Sequence, residues 1–338
     1  MEKRNWLLFL FVIFISLTSF SQSIKGKIKD SKTNEPIEGA SVYFDNTTIG
    51  VISNMEGYFE IPFNTSINTP LVISFLGYEK VVFTEFSPDK VIEVNLIEDV
   101  STLSEVVLNS KDSWSREYKL RWFRTQFLGL SENSKSCKIL NEDDIKLEFL
   151  EDKKKLVAWA RKPLIIVNDK LKYRIEYDLQ DFEIQYKSRD SSRRIDMESI
   201  FYYGTSLYKS FEDSRRILKR RLKSYEGSRL HFMRSLLKGK LTENKFTLLH
   251  KGRIVPPINY ISVYATDDSN LYQIRIFKTL TIVYNQELSL QSKIIPNTTY
   301  FYLDTNGNHA PVDALTFSGI FGNQRVGDTL PLDYKPFE

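Results

Sequence analysis

Between residues 23 and 98, short runs of alternating apolar and polar side chains are each closed by turn-forming residues, a pattern that suits strands and leaves no helical period. Ile24-Lys-Gly-Lys-Ile28 alternates as a half-buried strand does. Asp30-Ser-Lys-Thr-Asn-Glu-Pro36 is turn chemistry, and Pro36 to Phe44 forms a second strand with an early Gly39. Asp45-Asn-Thr-Thr48 turns the chain into a third strand, Ile49 to Ser53. Asn54-Met-Glu-Gly57 is a tight turn whose glycine supplies a positive φ. Tyr58 to Ile61, Leu71 to Phe75, Glu79 to Phe83 and Val91 to Leu96 bring the total to about seven strands. Strands of this length and spacing predict a β-sandwich.

These residues also resemble a known family. Gly26-Lys-Ile28, Asp30, Pro36-Ile-Glu-Gly39-Ala-Ser-Val42, Gly50, Ser53-Asn-Met-Glu-Gly57-Tyr-Phe-Glu-Ile61 and Ile73-Ser-Phe-Leu-Gly77-Tyr78 are similar to the carboxypeptidase-like regulatory domain. That module, also called carboxypeptidase D regulatory-like, is a transthyretin- or prealbumin-like sandwich of seven strands. The resemblance covers about a quarter of the chain and implies export. It also implies a setting, because in Gram-negative surface systems similar modules precede outer-membrane transporter barrels. It implies no catalysis by the module itself. A zinc carboxypeptidase needs His-x-x-Glu and a distant histidine to leave one metal position open for water. His231, His250 and His309 are followed at the third position by Arg234, Arg253 and Val312, so that motif is absent.

The N-terminus predicts the compartment. Lys3 and Arg4 precede an apolar run from Trp6 to Leu17, and Thr18-Ser-Phe-Ser-Gln22 follows it. This is the layout of a secretory signal peptide over 1–21, cut after Ser21, and the run is short for a membrane span. The mature chain is expected in the periplasm or at the outer membrane, with no integral span after cleavage. No cysteine follows the run to take a lipid, and the single cysteine, Cys137, is expected to act as a small buried apolar residue. With 47 basic and 43 acidic residues, the net charge of +4 lacks the basic excess of a nucleic-acid partner.

Polar, Ser-rich residues 99–112 read as a linker, leaving 113–338 as an uncharacterised α+β domain. Ser113 to Leu130 places Tyr118, Trp122, Phe123 and Phe127 on one helical face, capped by Ser113 and ended by Gly129. An antiparallel meander is expected from 145–150, 156–159, 164–167, 171–177 and 182–186. Residues 213–238 switch to a helical period broken near Gly227, with Ser228 capping the second helix. Strands resume at 246–249, 258–264, 271–279, 281–284 and 298–303, and Asp304-Thr-Asn-Gly307 is a hairpin turn. The whole predicts a mostly antiparallel sheet carrying a helical hairpin. The strands are short for an outer-membrane barrel, and helices interrupt them. The ending Phe317 to Tyr334 resembles tails of uncharacterised exported proteins, which assigns no activity.

The chemistry-bearing candidates are few. Arg215, Arg216, Lys219, Arg220, Arg221 and Lys223 crowd one segment without an intervening acid, beside an apolar stripe of Leu218, Leu222 and Tyr225. Arg215, Arg216, Lys219, Arg220 and Lys223 form the candidate binding face, for an anionic lipid or lipopolysaccharide if it is functional and for water if it is not. His231 reads as a hydrogen-bonded helix residue, since no serine or cysteine nucleophile with an acid accompanies it. Asp304-x-Asn306-x-Asn308 begins like a calcium loop but has His309 at the sixth position and Leu315 at the twelfth. Glu142-Asp-Asp144 fits a solvated turn. No metal site and no cofactor are expected, and no catalytic residue is assigned. The expected function is a non-enzymatic envelope protein whose 113–338 domain binds a protein or glycan. The alternatives are a hydrolase sited in 113–338 and the basic-helix lipid binder.

Overall fold

The computed structural model describes residues 22–63, 68–99, 114–187 and 197–337. The expected signal peptide (1–21) and all but the first residue of the expected linker (99–112) lie outside the described residues.

The N-terminal unit is a seven-stranded sandwich of two sheets. One sheet holds β1 (Gln22–Asp30), β4 (Tyr58–Phe63) and β7 (Ile92–Leu96) in the order β4-β1-β7, with β1 and β7 parallel. The other runs β3-β2-β5-β6 and is formed by β2 (Ser41–Phe44), β3 (Gly50–Ile52), β5 (Leu71–Ser74) and β6 (Val81–Phe83). Ile24, Ile28, Phe59, Ile61 and Leu96 on the first sheet face Val42, Phe44, Leu71 and Ile73 on the second, and all are buried. The 54–57 turn closes with the Gly57 amide on the Asn54 carbonyl at 2.8 Å. Gly57 has φ of +71°, and a Cβ there would stand 2.2 Å from the Ile28 carbonyl oxygen, so no other residue fits without displacing β1. At the 30–36 turn, Asp30 accepts from the Lys32 and Thr33 amides and from the Tyr78 hydroxyl, which hold its carboxyl down to about pKa 2.

Residues 114–187 and 197–337 fold around two further apolar cores. In the first, α1 (Arg116–Leu128) lies on an antiparallel sheet of β8 (Cys137–Ile139), β9 (Ile145–Leu150), β10 (Lys155–Ala160), β11 (Leu164–Asn168), β12 (Tyr173–Tyr186) and β13 (Met197–Ser210). Phe123 and Phe127 are fully buried between helix and sheet, and Trp114 stacks on Phe149 with ring centroids 4.1 Å apart. Ser115, rather than Ser113, caps α1 by accepting from the Tyr118 amide, and Gly129 ends it as expected.

Two expectations about strands fail here. The runs 171–177 and 182–186 are one 14-residue strand, because a bulge between Leu179 and Asp181 carries the polar break without ending β12. β13, also 14 residues, gave no alternating signal. Gly204 to Tyr208 are five consecutive buried residues, since the 114–337 core covers one face of β13 and the sandwich covers the other. The strands are therefore not uniformly short.

The second core is enclosed by two sheets and a helix. One sheet runs β15-β14-β18-β19-β22, from β14 (Phe246–His250), β15 (Arg253–Ile254), β18 (Leu280–Tyr284), β19 (Glu287–Pro296) and β22 (Leu315–Gly319). The other runs β16-β17-β20-β21, from β16 (Ile261–Ala265), β17 (Leu271–Ile276), β20 (Phe301–Asp304) and β21 (His309–Ala310). Phe246, Ile274, Ile282, Ile294, Phe301 and Leu303 meet Phe232 of α3 (Arg229–Leu237) between them. The 304–307 turn is the hairpin expected, with Asp304 Oδ1 accepting from the Asn306 and Asn308 amides at 2.9 Å each.

The sandwich is joined to β13 by a short parallel bridge between Thr47 and Leu207. The Asn46 amide donates to the Ser206 carbonyl at 2.8 Å, and the Tyr208 amide donates to the Thr47 carbonyl at 2.9 Å. Tyr43 Oη and Thr205 Oγ1 are 3.0 Å apart, and Lys80 pairs with Asp178 at 2.6 Å in a largely enclosed position. The Asp45 carboxylate accepts from the Ser206 amide at 2.8 Å, and burial pushes its pKa up to about 6.

A group whose folded pKa lies above its unfolded one stabilises most when protonated, and that contribution is lost as pH rises through about 6. Wild type should therefore gain stability relative to Asp45→Asn as pH falls from 7 to 5. Paired melting curves at the two pH values measure this, and a constant gap refutes the assignment.

Candidate functional site

α2 (Arg215–Tyr225) and α3 meet at an elbow around Gly227. Gly227 has φ of +71°, and a Cβ there would lie 2.6 Å from the Tyr284 ring. Ser228 caps α3 by accepting from the His231 amide at 3.0 Å, as expected. The elbow opens onto a shallow depression of about 320 Å³ lined by Glu226, His231, Lys238, Glu243, Asn244 and Tyr284, among others. His231 Nδ1 accepts from the Gly227 amide at 3.1 Å, and its ring lies 4.8 Å from that of Tyr225 and 5.0 Å from that of Phe246. Burial, then the neighbouring Arg234 charge, lowers its pKa to about 4, so it is a neutral acceptor that orders the elbow. Burial likewise brings His309 to about 4, while the half-buried His250 contacts the Thr279 carbonyl through Nδ1. Among the described residues no histidine pairs with a carboxylate, and no group of three or more His, Cys, Asp or Glu side chains converges as metal ligands do.

The basic segment divides into two roles. Ile217, Arg221 and Tyr225, four residues apart, form the buried row of α2, so the stripe expected from Leu218, Leu222 and Tyr225 is displaced and both leucines are half-buried. Arg221 does not belong with the solvated cations. Its guanidinium donates to the Leu171, Lys172 and Glu212 carbonyls and to Ser210 Oγ, pairs with Asp213 at 2.5 Å, and lies 3.9 Å from the Tyr173 ring centroid. Sequence alone gives no sign of this, because the Leu171 and Lys172 carbonyls come from a loop some fifty residues upstream.

The remaining five behave as a face. Arg215, Arg216, Lys219 and Lys223 are exposed, and Arg220 is half-buried near the Lys170 carbonyl at 3.5 Å. None of the five has a carboxylate within ion-pair distance among the described residues. Arg215, Lys219 and Lys223 repeat at four-residue spacing, and Arg216 and Arg220 do the same, so like charges repel along the helix by a few tenths of a kcal/mol per pair. Arg215 and Arg216 also occupy the first turn, where the helix dipole favours acids.

The other polar candidates are structural. Glu142 forms a two-pronged pair with Arg124, through Nε at 2.6 Å and through Nη2, which ties the 142–144 turn to α1. Cys137 is half-buried, with Sγ 3.5 Å from the Asn133 carbonyl, and burial pushes its thiol up to about 12. At neutral pH it therefore holds no thiolate to react.

Comparison with known proteins places the N-terminal unit. Residues 24–108 match the family described as the CarboxypepD_reg-like domain. A stretch of 115 residues is 35% identical to the TonB-dependent receptor SusC of Bacteroides thetaiotaomicron, covering 32% of this chain and 11% of the receptor. The chain thus matches about a tenth of that relative's length, a match that bears on the module and not on the receptor as a whole. With its two facing sheets, its Gly57 turn and this match, the sandwich of β1 to β7 is a CarboxypepD_reg-like domain.

Proposed function

We propose that the chain is an exported cell-envelope protein. In this reading the CarboxypepD_reg-like sandwich is a non-catalytic module fixed to a body, residues 113–338, that binds an envelope partner. The observation that carries it is the sandwich itself, a unit shared with a segment of a TonB-dependent receptor. The polar seam along β13 supports it, because a module held by main-chain bonds and a half-buried ion pair orients whatever follows it. The charged-then-apolar N-terminal run supplies the route out of the cytoplasm. Fractionation of native cells, with N-terminal sequencing of the recovered protein, tests the reading. The expected product lies in periplasmic or outer-membrane fractions and begins near Gln22. Full-length protein beginning at Met1 in the cytosol overturns it.

A second reading gives the α2 face a role at an anionic lipid or lipopolysaccharide surface. What favours it is the cost the helix carries: repelling cations and two arginines at the wrong end of the dipole, with no acid in the first turn to offset them. Charge reversal with Arg216→Glu and Lys219→Glu should abolish salt-sensitive binding to vesicles containing anionic lipid while leaving the melting temperature within a few degrees. Unchanged vesicle binding removes this reading.

A further inference from the structure

The outward face of the β16-β17-β20 sheet carries four exposed aromatic rings, the opposite of what water-facing strands ordinarily present. Tyr264, Phe277, Tyr300 and Tyr302 keep 45%, 40%, 41% and 42% of their surface exposed. Pairing aligns them in rows. Tyr264, Gln273 and Tyr302 stand directly opposite one another on three adjacent strands. Ser262 and Arg275 form the next row, and Tyr300, just beyond the start of β20, extends it. The Tyr264 and Tyr300 rings lie 6.5 Å apart. The Arg275 guanidinium is held 4.7 Å from the Phe277 ring centroid and 5.5 Å from that of Tyr300, so it is oriented without being enclosed. The inward partners Ile274, Ile276, Phe301 and Leu303 are buried in the second core, which fixes the strands and therefore the rows.

We propose that this face is a glycan-binding platform that takes a polysaccharide chain laid across β16, β17 and β20. A pyranose shows an apolar C–H face and a rim of hydroxyls. The tyrosine rings would take the former, and Gln273, Arg275 and Ser262 supply donors and acceptors for the latter. Adjacent strands are about 4.8 Å apart, which sets the backbones of Tyr264 and Tyr302 about 10 Å apart, close to the span of a disaccharide. The interleaving decides against other occupants. A second copy pressed dry on this face would strip water from Arg275 and Gln273 without replacing it. A nucleic acid needs a row of cations, and these outward positions hold one. The proposal deepens the envelope reading, on which it rests for access to glycans, by naming the partner class and the residues.

Isothermal titration calorimetry of the purified protein against soluble β-glucan, xylan, α-glucan and alginate tests it. At least one should bind, and Tyr264→Ala/Tyr302→Ala should weaken that binding roughly tenfold or more, the scale of losing a stacked anchor. Arg275→Ala should weaken it less, and neither variant should alter the melting temperature appreciably, since the two tyrosines are exposed and the half-buried Arg275 touches only surface rings. The platform is refuted by no heat with any of the four, or by a double variant that binds as wild type does. A wild-type dimer that the double substitution converts to monomer reassigns the face to self-association. Envelope-fractionated protein that ignores every polysaccharide refutes the platform and leaves the envelope reading standing. Cytosolic protein refutes the envelope reading whatever it binds.

Discussion

Arg221→Ala should lower stability by about 2–4 kcal/mol, read as a fall in the urea midpoint, whereas Arg216→Ala about one turn earlier should change it by less than about 0.5 kcal/mol. The two arginines sit on the same helix and differ in what they touch. Truncating Arg221 leaves the Leu171 carbonyl without its donor, takes one of two donors from the Lys172 and Glu212 carbonyls, and opens a gap above the Tyr173 ring. Each orphaned buried acceptor costs about 1–3 kcal/mol. Truncating Arg216 removes one member of a repelling pair, so a slight gain is within the expected range. Arg221→Lys should recover little, because one ammonium cannot reproduce a planar fork that serves three carbonyls and a hydroxyl. Equal effects at both positions would contradict the division of the basic segment into clamp and face.

Leu207→Asp should uncouple the sandwich from the rest of the chain. Leu207 is buried with Tyr43 and Val72 where the outer face of β2 and β5 meets β13. A carboxylate placed there would be desolvated beside Asp45 and Asp178, both already close enough to raise the Tyr43 pKa. That penalty is several kcal/mol, comparable with what an interface of this size can hold. The expected signature is two separate thermal transitions in place of one, with a larger radius of gyration by small-angle X-ray scattering. Leu207→Ala should give an intermediate result, about 2–3 kcal/mol, because it removes packing without adding charge. A single transition at the wild-type temperature for Leu207→Asp would show that the joint contributes little.

The sandwich was legible because its signals are local. The alternation in β1 and β4, the Asp30 and Asn54 turns and the glycine at position 57 each act within a few residues. The elbow at Gly227 and the Ser228 cap were legible for the same reason. β13 was not, because alternation reports one covered face and residues 204–208 are covered on both. The polar break in β12 looked like a turn because a bulge and a turn use the same residues. Arg221 could not be separated from its neighbours by sequence, since its Leu171 and Lys172 carbonyl partners become adjacent only when the 171–172 loop packs under α2. The tyrosine rows were hidden more completely, because Tyr264, Gln273 and Tyr302 are aligned by strand order alone.

The joint between sandwich and body is finished by the last residues of the fold. The Leu332 amide donates to the Asn46 carbonyl at 2.6 Å, and Asp333 accepts from the Thr48 amide across 285 positions of sequence. Arg234 of α3 then holds the Leu332 and Tyr334 carbonyls at 2.9 and 2.8 Å. Contacts so distant in sequence cannot form until the intervening chain has closed its own loops. A polypeptide leaving the ribosome would carry its first β-unit already assembled but unmoored. Mooring would begin when β13 pairs with the sandwich and be completed only by residues 332–334, so a nascent chain stalled between the two should hold its sandwich more loosely than one released after them.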